Sequence, residues 1–454
     1  MNTSALTRFV LSTRDGGQRL AERPLPSSEV KGDQRLPRLN VQTRQACQTH
    51  LGFGGAFTEA AATVWQGLPE PAREQLLSDY FDPAHGHGYT LCRVHINSCD
   101  FSLGHYAHAE QPGDHALTSF NIDRDRQALL PFIRAAQRAA GRPLQLLASP
   151  WSPPAWMKTN DRMDDGGRLR PECRAAWALC FVRFIRAYQA EGVPIWGVSV
   201  QNEPAAHQRW ESCLYSAEEE RDFVRDHLGP ALRDAGLAEV KIVIWDHNRD
   251  LMAQRASVVY ADAEAARFVW GTGFHWYGPE DFDAVQRTHD AWPDKHLLFT
   301  EGCQEGGPHS GPTESWLVGE RYARNLINDL NRWTVGWIDW NLLLDERGGP
   351  NHVGNFCSAP ILADTARGML MHQSAYWVLG HFARFIRPGA RRVLSDAAAP
   401  IATTAFVNPD GTAAVVASNP SDEALRFALC IDERCCTVEL PPRSIATFVG
   451  HGPA

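Results

Sequence analysis

Eight short apolar runs recur along the chain, and stretches with helical periodicity separate most of them. The runs occupy residues 51–57, 89–96, 144–151, 195–203, 241–247, 269–277, 296–301 and 335–344. Apolar runs of this length are typical of parallel strands that are buried on both faces. Eight strand–helix repeats predict an α/β fold, a (β/α)8 TIM barrel. A doubly wound open sheet is the alternative, but it usually has fewer strands.

The segments between the runs have the pattern of amphipathic helices. Residues 171–191 place Trp177, Phe181 and Phe184 at three- and four-residue steps, which gives a helix one apolar face. The segment 216–235 begins with Ser216, Ala217 and three glutamates, a pattern typical of a capping box. The predicted helices are 71–81, 123–140, 171–191, 216–235, 316–333 and 374–386.

Both ends of the chain differ from the middle. After about residue 388 the helical patterns stop, and short alternating runs follow at 393–394, 401–408, 412–418, 426–431, 436–440 and 445–449. This pattern predicts an antiparallel β-sandwich. Residues 1–45 have too little apolar surface to fold alone, so we expect them to add a strand to it. The predicted domains are terminal strands in 1–45, the barrel in 46–388 and the side β-sandwich in 389–454.

Length and charge limit the possible functions. The 454 residues suit a barrel plus an accessory domain. The net charge of −9 argues against broad electrostatic binding of nucleic acid or of anionic lipid. No run of eighteen apolar residues exists, so no membrane-spanning segment is predicted.

The cysteines and the first residues predict a cellular setting. The eleven cysteines are scattered and show no zinc-type spacing, so we expect reduced and mostly buried thiols. Residues 1–23 lack the apolar core of a signal peptide. These features predict a cytoplasmic protein, and export by a specialised secretion route stays open.

Polar and aromatic side chains end nearly every predicted barrel strand. The group comprises Asn97, Asp100, Ser149, Trp151, Asn202, Glu203, His275, Tyr277, Glu301, Asp339, Trp340 and Asn341. The carboxyl ends of barrel strands share one face, where barrel enzymes place their active sites. Carboxylates and amides bind hydroxyl groups, and indoles offer flat faces to a sugar ring. The set therefore predicts a site for a neutral sugar.

Glu203 and Glu301 suit glycoside hydrolysis as a pair. One carboxylic acid protonates the leaving oxygen, and the other attacks the anomeric carbon if the two lie about 5–5.5 Å apart. The acid must hold its proton near the working pH, so we expect burial and the negative partner to raise its pKa. A structural ion pair is the alternative for either glutamate alone.

Other motifs give weaker signals. The run from Gly197 to Gln201 resembles half of a nucleophile elbow, and the glycines at 52–55 do not match a dinucleotide fingerprint. His85 and His87 fit a solvated loop better than a metal site. We expect Asp339 to orient other groups and Glu59 to hold the barrel together. No metal or cofactor is predicted.

Several motifs together resemble glycoside hydrolase family 30, in particular its glucosylceramidase-type members. They are Gly-Phe-Gly-Gly-Ala-Phe-Thr-Glu at 52–59, Ser-Cys-Asp-Phe-Ser at 98–102, Ser-Pro-Trp-Ser-Pro-Pro at 149–154, Gln-Asn-Glu-Pro at 201–204, Phe-His-Trp-Tyr at 274–277, Thr-Glu-Gly at 300–302, Ile-Asp-Trp-Asn at 338–341 and Gly-Gly-Pro-Asn-His-Val-Gly-Asn at 348–355. The resemblance extends from about Gly52 to the C-terminus, and it implies a barrel with a side β-sandwich.

The resemblance also implies roles for individual residues. Glu203 would be the acid/base and Glu301 the nucleophile. The sugar shell would comprise Asp100, Trp151, Asn202, Trp340 and Asn355, while His275 and Tyr277 would support the glutamates. The animal members carry a signal peptide and disulfides near the N-terminus, which are not visible here. The loops 205–213 and 304–314 do not match well enough to imply a ceramide site.

We therefore predict a retaining exo-β-glycosidase that acts on a β-glucoside such as glucosylceramide. An endo-β-1,6-glucanase, a β-xylosidase or a β-fucosidase are alternatives within the same family. A catalytically dead carbohydrate-binding or host-interaction protein is the alternative from another class. The expected partner is a β-linked sugar, including a glycolipid. The oligomeric state and the natural aglycone stay open.

Overall fold

The N-terminal part of the chain that the structure describes, from Leu6 to Thr49, forms three strands that lie outside the barrel. They are β1 (Leu6–Thr13), β2 (Ala21–Glu22) and β3 (Arg38–Thr49). The protein is represented by a computed structural model that describes residues 6–26, 36–306, 315–396 and 399–452. Every structural statement below concerns those ranges.

The eight apolar runs form one closed parallel barrel. Its strands are β4 (Gly52–Phe57), β5 (Leu91–Ile96), β6 (Gln145–Pro150), β7 (Ile195–Ser199), β8 (Lys241–Asn248), β9 (Val269–His275), β10 (His296–Glu301) and β11 (Thr334–Asn341). They pair in chain order, and β11 closes the barrel against β4. Inside, the barrel is filled by Leu91, Leu147, Val243, Leu298 and Ile338. The predicted (β/α)8 barrel is confirmed.

The glycine motif at 52–55 serves close strand packing. A Cβ atom on Gly54 would lie 1.6 Å from the carbonyl oxygen of Leu91 on β5. Any side chain at this position would therefore collide with the backbone of the neighbouring strand. This packing accounts for a glycine-rich strand that does not match a dinucleotide fingerprint.

The strand β7 is shorter than its apolar run. It ends at Ser199, although the run predicts a strand as far as Glu203. Glu203 has a φ of 48°, and Trp245 and Asp246 on β8 also have positive φ values. The Glu203 N–H donates to the carbonyl of Asp246, which fixes the two bends against each other. Strained non-glycine residues of this kind cluster at functional sites.

Eleven α-helices pack around the barrel and between its loops. They are α1 (Glu59–Gly67), α2 (Glu70–Phe81), α3 (Leu129–Ala140), α4 (Arg174–Ala190), α5 (Ala217–Phe223), α6 (Gly229–Asp234), α7 (Met252–Tyr260), α8 (Ala263–Ala266), α9 (Phe282–Ala291), α10 (Trp316–Leu330) and α11 (Ser374–Ala383). The predicted helices are present, but α3 begins six residues later than 123. The predicted helix 216–235 is divided by a π-helical segment, Val224–Leu228. Its capping box forms between Ser216 and Glu219. The helices α1, α7, α8 and α9 were not predicted.

A small three-stranded sheet follows the last barrel strand and was not predicted. It consists of β12 (Leu344–Asp345), β13 (Ile361–Asp364) and β14 (Met369–His372). The segment between β12 and β13 carries Asn355. The small sheet thus fixes both ends of a loop that extends over the carboxyl end of the barrel.

The two chain ends build one β-domain beside the barrel. Its later strands are β15 (Arg391–Asp396), β16 (Ala402–Val407), β17 (Thr412–Asn419), β18 (Leu425–Ile431), β19 (Arg434–Leu440) and β20 (Ser444–His451). The strand order is β19-β18-β3-β15-β16-β17-β20-β1-β2, and the pairing is antiparallel except between β3 and β18. Phe9 on β1 and Phe427 on β18 share one core although their strands lie far apart in that order. The sheet therefore curls around its own core, as predicted for a β-domain made from both ends.

The structure departs from the expectations for one pair of cysteines and for one histidine. Cys430 and Cys435 form a disulfide between β18 and β19, whereas the other nine cysteines are free thiols. His87 does not lie in a solvated loop, because it is fully buried and its ring stacks on Tyr376 at 4.2 Å. The neighbouring His85 is exposed, as expected.

Glu59 connects two parts of the barrel. It is the first residue of α1, and its carboxylate accepts hydrogen bonds from the N–H of Leu103 and from Arg124 in the segment after β5. This is the structural position expected from the sequence. In the described ranges, no helix has the length and apolar character needed to cross a membrane.

Candidate active site

The carboxyl ends of the barrel strands surround one pocket. Its walls include eight residues expected at a sugar site: Asp100, Trp151, Asn202, Glu203, Tyr277, Glu301, Trp340 and Asn355. The ninth expected residue, His275, is fully buried and contacts Glu203. Seven further lining residues were not anticipated: Gln208, Trp210, His247, Asn248, Cys303, Glu305 and Cys357.

The two glutamates face each other across this pocket. Glu203 lies in the bend after β7, and Glu301 is the last residue of β10. One carboxylate oxygen of each lies within 4.8 Å of the other. Carboxyl groups of retaining glycosidases lie about 5–5.5 Å apart, while inverting enzymes need about 6.5–9.5 Å. The separation of Glu203 and Glu301 therefore matches the retaining arrangement.

Arg93 on β5 is the fixed positive charge of the site. Its guanidinium pairs with Glu301 and donates to Asp246 Oδ2 at 2.7 Å and to Asn202 Oδ1 at 2.9 Å. It also lies over the ring of Trp151, 4.7 Å from the centroid. Arg93 is completely buried, and an arginine stays charged in such a setting. It therefore holds the carboxylates of Asp246 and Glu301 and the amide of Asn202 in fixed positions.

A second chain of contacts leads to Glu203. His275 Nε2 lies 3.0 Å from Asp246 Oδ1, and His275 Nδ1 lies 3.3 Å from Glu203 Oε1. Burial opposes a charge on this imidazole, but the carboxylates of Glu301, Asp246 and Glu203 outweigh it and raise the pKa of His275 to about 9. At neutral pH the site therefore holds a proton on His275, one hydrogen bond from Glu203.

The pKa values of the two glutamates differ from the sequence-based expectation. Burial raises the pKa of Glu203, but the His247 and His275 imidazoles outweigh burial and bring that pKa below its ordinary value. Burial also raises the pKa of Glu301, and here the opposing charges of His275 and Arg93 do not fully compensate. The expectation of a raised pKa for the acid is wrong for Glu203, because it did not include the charges of His247 and His275.

Aromatic and amide groups form the remaining walls. The indoles of Trp151 and Trp340 stack at 5.1 Å with an interplanar angle of 22°. Asn355 Nδ2 donates to Asp100 Oδ2 at 2.9 Å. Burial raises the pKa of Asp100 to about 8, against the hydrogen bond from Asn355. Asp100 can therefore offer both an O–H donor and an acceptor to sugar hydroxyls near neutral pH.

Tyr277 and Asp339 occupy different positions relative to the pocket. Tyr277 Oη donates to Glu301 Oε1 at 3.0 Å, on the oxygen that Arg93 leaves free. Asp339 accepts from Tyr322 Oη at 2.9 Å and does not line the pocket. Tyr277 is therefore placed to act directly on Glu301, whereas Asp339 is a buried structural carboxyl.

Sequence reasoning missed three members of the charge network around the two glutamates: Arg93, Asp246 and His247. Asp246 and His247 end the fifth apolar run, so the rule that identified the glutamates also applies to them. His247 Nε2 lies 3.9 Å from Glu203 Oε1. Arg93 lies within an apolar run, and an arginine in a buried strand is itself a sign of buried carboxylates.

The comparisons with known proteins agree on one family. Residues 50–386 match the Glycosyl hydrolase family 30 TIM-barrel domain, and residues 389–448 match the Glycosyl hydrolase family 30 beta sandwich domain. The lysosomal acid glucosylceramidase of Mus musculus is 36% identical over 403 residues, which cover 85% of this chain and 78% of that protein.

Two solved structures resemble the whole chain. SrfJ from Salmonella typhimurium superimposes with a TM-score of 0.93 at 38% identity, over 98% of this chain and 99% of that one. The endo-beta1,6-glucanase BT3312 superimposes with a TM-score of 0.89 at 26% identity, over 98% of this chain and 99% of that one. The chain belongs to glycosyl hydrolase family 30, and it is a glycoside hydrolase of the retaining type.

Proposed function

We propose that this hydrolase releases single glucose units from a β-glucoside by double displacement. Glu301 is the nucleophile, and Glu203 is the acid and then the base. The observation that carries the proposal is the short separation of the two carboxylates inside one aromatic-walled pocket. Because the pocket volume is about 160 Å³, below the 300–1,000 Å³ of typical drug-sized sites, it suits one sugar ring better than a long chain.

In the first step, Glu301 attacks the anomeric carbon while the glycosidic bond to the aglycone oxygen breaks. The Arg93 guanidinium favours the ionised form of Glu301, and Tyr277 Oη binds its other oxygen. Glu203 gives its proton to the departing oxygen. The products are a free alcohol and a glucosyl ester on Glu301.

In the second step, water attacks the same anomeric carbon from the side that the aglycone has left. Glu203 takes a proton from this water, and the ester bond to Glu301 breaks. Two inversions give glucose with the β configuration of the substrate. Glu203 thereby regains the proton that it gave to the aglycone, and in the free site it shares this proton with His275.

His275 supplies the proton that Glu203 needs. In the free site the proton resides on the imidazole, because Asp246 and the two glutamates raise the pKa of His275 to about 9. Moving it from Nδ1 to Glu203 Oε1 requires only the existing 3.3 Å contact. His275 and Glu203 thus share one proton as a unit, and Asp246 keeps the ring oriented.

Glucosylceramide is the substrate that we propose first. The support is the mouse relative, which is named a lysosomal acid glucosylceramidase, together with the small pocket. Internal cleavage of a β-1,6-glucan is the second candidate activity, because the structure named as an endo-β1,6-glucanase resembles this chain along nearly its full length. The same two glutamates would serve either substrate.

Purified protein given glucosylceramide and a β-1,6-linked glucan in parallel tests the proposal. We expect glucose from the lipid and no oligosaccharides from the glucan. The Glu301→Gln variant should release nothing from either substrate while its circular dichroism spectrum stays unchanged. Oligosaccharides from the glucan without glucose from the lipid would overturn the exo-acting proposal in favour of the second candidate.

A further inference from the structure

A cluster of two histidines and one glutamate joins three loops beside the active-site pocket. His105 lies in the loop after β5, Glu211 in the loop after β7, and His352 in the segment between β12 and β13. His105 Nδ1 lies 2.9 Å from one carboxylate oxygen of Glu211, and His352 Nε2 lies 3.5 Å from the other. One ligand atom from each residue lies within 4.8 Å of the other two. None of the three has a role in the proposed hydrolysis.

Two buried atoms of this cluster lack a hydrogen-bond partner, whereas Glu211 Oε1 is hydrogen-bonded to His105 Nδ1. The Glu211 side chain is fully buried, and neither its Oε2 nor His352 Nε2 makes a hydrogen bond. The far nitrogen of His352, Nδ1, lies 3.0 Å from the carbonyl oxygen of Ser102 and so carries the N–H that donates to it. A neutral His352 then points a lone pair from Nε2 at a carboxylate oxygen. Two acceptors facing each other need a cation between them, which is either a second proton on His352 or a metal ion.

The outer contact of His352 follows the pattern of metal sites. Ligating histidines commonly donate their other ring N–H to a carbonyl or carboxylate, which fixes the tautomer and the ring orientation. His352 has the Ser102 carbonyl in this position. His105 Nε2 lies 3.7 Å from Asp164 Oδ2, which is beyond hydrogen-bond distance. The inner nitrogens, His105 Nδ1 and His352 Nε2, both face Glu211.

We propose that His105, Glu211 and His352 bind one divalent transition-metal ion. Two imidazole nitrogens and a carboxylate suit zinc and its first-row neighbours better than magnesium or calcium, which prefer oxygen ligands. His105 is 43% exposed, so the ion has a path from solvent. The ion connects three loops and takes no part in bond breaking.

The position of the ion relates it to the sugar pocket. Glu211 follows Trp210, and His352 lies three residues before Asn355; both Trp210 and Asn355 line the pocket. Binding the ion therefore fixes two pocket walls relative to each other. This proposal does not depend on which sugar is cleaved.

Zinc binding to the tag-free full-length protein is the test. The protein is stripped with a chelator, returned to chelator-free buffer and titrated with Zn²⁺ by calorimetry, with metal content measured after gel filtration. We expect one Zn²⁺ per chain. Glu211→Gln, His352→Ala and His105→Ala should each bind at least about tenfold more weakly, the lower end of what supporting residues of metal sites contribute. Cobalt should give visible absorption without a thiolate band, which separates this site from the cysteines Cys303 and Cys357.

His207→Ala is the matched control, because His207 lies on the Glu211 loop but outside the cluster. It should bind zinc as the unmodified protein does. Zinc should also raise the melting temperature of the unmodified protein and of His207→Ala, but not of the cluster variants. If Glu211→Gln does not fold, the zinc affinity of His105→Ala tests the proposal instead, since the partly exposed His105 side chain can be removed with less effect on folding. Failure of the unmodified protein to bind zinc, or equal binding by the cluster variants, would overturn the proposal and leave protonated histidines as the account of the cluster.

Discussion

At the scale of single residues, Arg93 organises the site. It is buried with the carboxylates of Asp246 and Glu301, and such charges are tolerated only when they are paired and hydrogen-bonded. Its partners lie 153 and 208 residues further along the chain. Sequence spacing cannot reveal contacts of that range, whereas the strand-end position of Glu203 and Glu301 was visible because it depends only on local pattern.

The pH dependence of activity tests the proton store on His275. The carboxylates raise the pKa of His275 to about 9, so its proton is present below that pH and is lost above it. We therefore expect the alkaline limb of kcat/KM to lie near pH 9. Burial raises the pKa of Glu301, so the acid limb should lie above the ordinary range of a glutamate.

His275→Asn should move the alkaline limb to lower pH by at least about one unit, because Glu203 must then hold the proton alone. The exposed His85→Ala variant is the control and should leave the profile unchanged. The measurement is kcat/KM for an aryl β-glucoside between pH 4 and 10. An unchanged alkaline limb in His275→Asn would contradict the role given to this imidazole.

The role of Glu203 is tested by chemical rescue. Glu203→Ala removes the general acid and base, and turnover of an unactivated glucoside should fall about 10²–10⁴-fold. Azide should restore turnover of an activated aryl glucoside, because it attacks the glucosyl ester without needing a base. The product should be the β-glucosyl azide by NMR. An α-azide would contradict retention.

At the scale of elements, pattern strength decided what the sequence could predict. The barrel strands were visible because they are buried on both faces, and α4 was visible because its aromatic residues repeat at helical steps. The helices α7 and α9 bury only four and three of their residues, so their apolar pattern was weak, whereas α11 of similar length buries nine and was predicted. The bend after β7 was also missed, because a positive φ at Glu203 comes from its contact with β8 and not from its own side chain.

A buried ion pair holds α10 to the end of β8. Arg249 follows β8, Asp329 lies on α10, and both side chains are completely buried. Arg249→Met leaves Asp329 without its charge partner, so the free energy of unfolding should fall by about 3–5 kcal/mol. Urea denaturation at pH 7, followed by tryptophan fluorescence, measures the loss.

Arg233→Met supplies the comparison for this pair. Arg233 and Asp234 are both exposed, and exposed pairs of this kind contribute little to stability. A loss for Arg249→Met no larger than that for Arg233→Met would show that the buried pair does not hold the helix.

At the scale of the whole molecule, the two chain ends depend on each other. The strand β1 lies between β20 and β2, with Phe9 opposite Phe448. Ser12 on β1 also lies 2.9 Å from the buried His381 on α11, which ties the β-domain to the barrel. The sequence predicted this arrangement because residues 1–45 were too polar to fold alone, but it could not give the strand order.

Removing residues 1–26 should therefore destabilise more than the terminal strand. The edge of β20 would lose its partner and become free to pair with other chains. We expect a lower melting temperature by several degrees and aggregation on size-exclusion chromatography with light scattering. Arg8→Ala keeps the strand and removes an exposed ion pair and a contact over the Phe385 ring, so it should lower the melting temperature far less than the truncation does. A monomeric truncated protein with unchanged melting would contradict the structural role of β1.

The glucosyl ester on Glu301 is the central claim, and trapping that ester tests it most directly. A 2-deoxy-2-fluoro-β-glucoside with a good leaving group should react once per chain. The fluorine slows both steps, but the good leaving group speeds only the formation of the ester, so the ester accumulates. Intact-mass measurement and peptide mapping should place one fluoroglucosyl group on Glu301 and none on Glu203. An adduct on another residue, or glucose released in the α configuration without any adduct, would contradict the account.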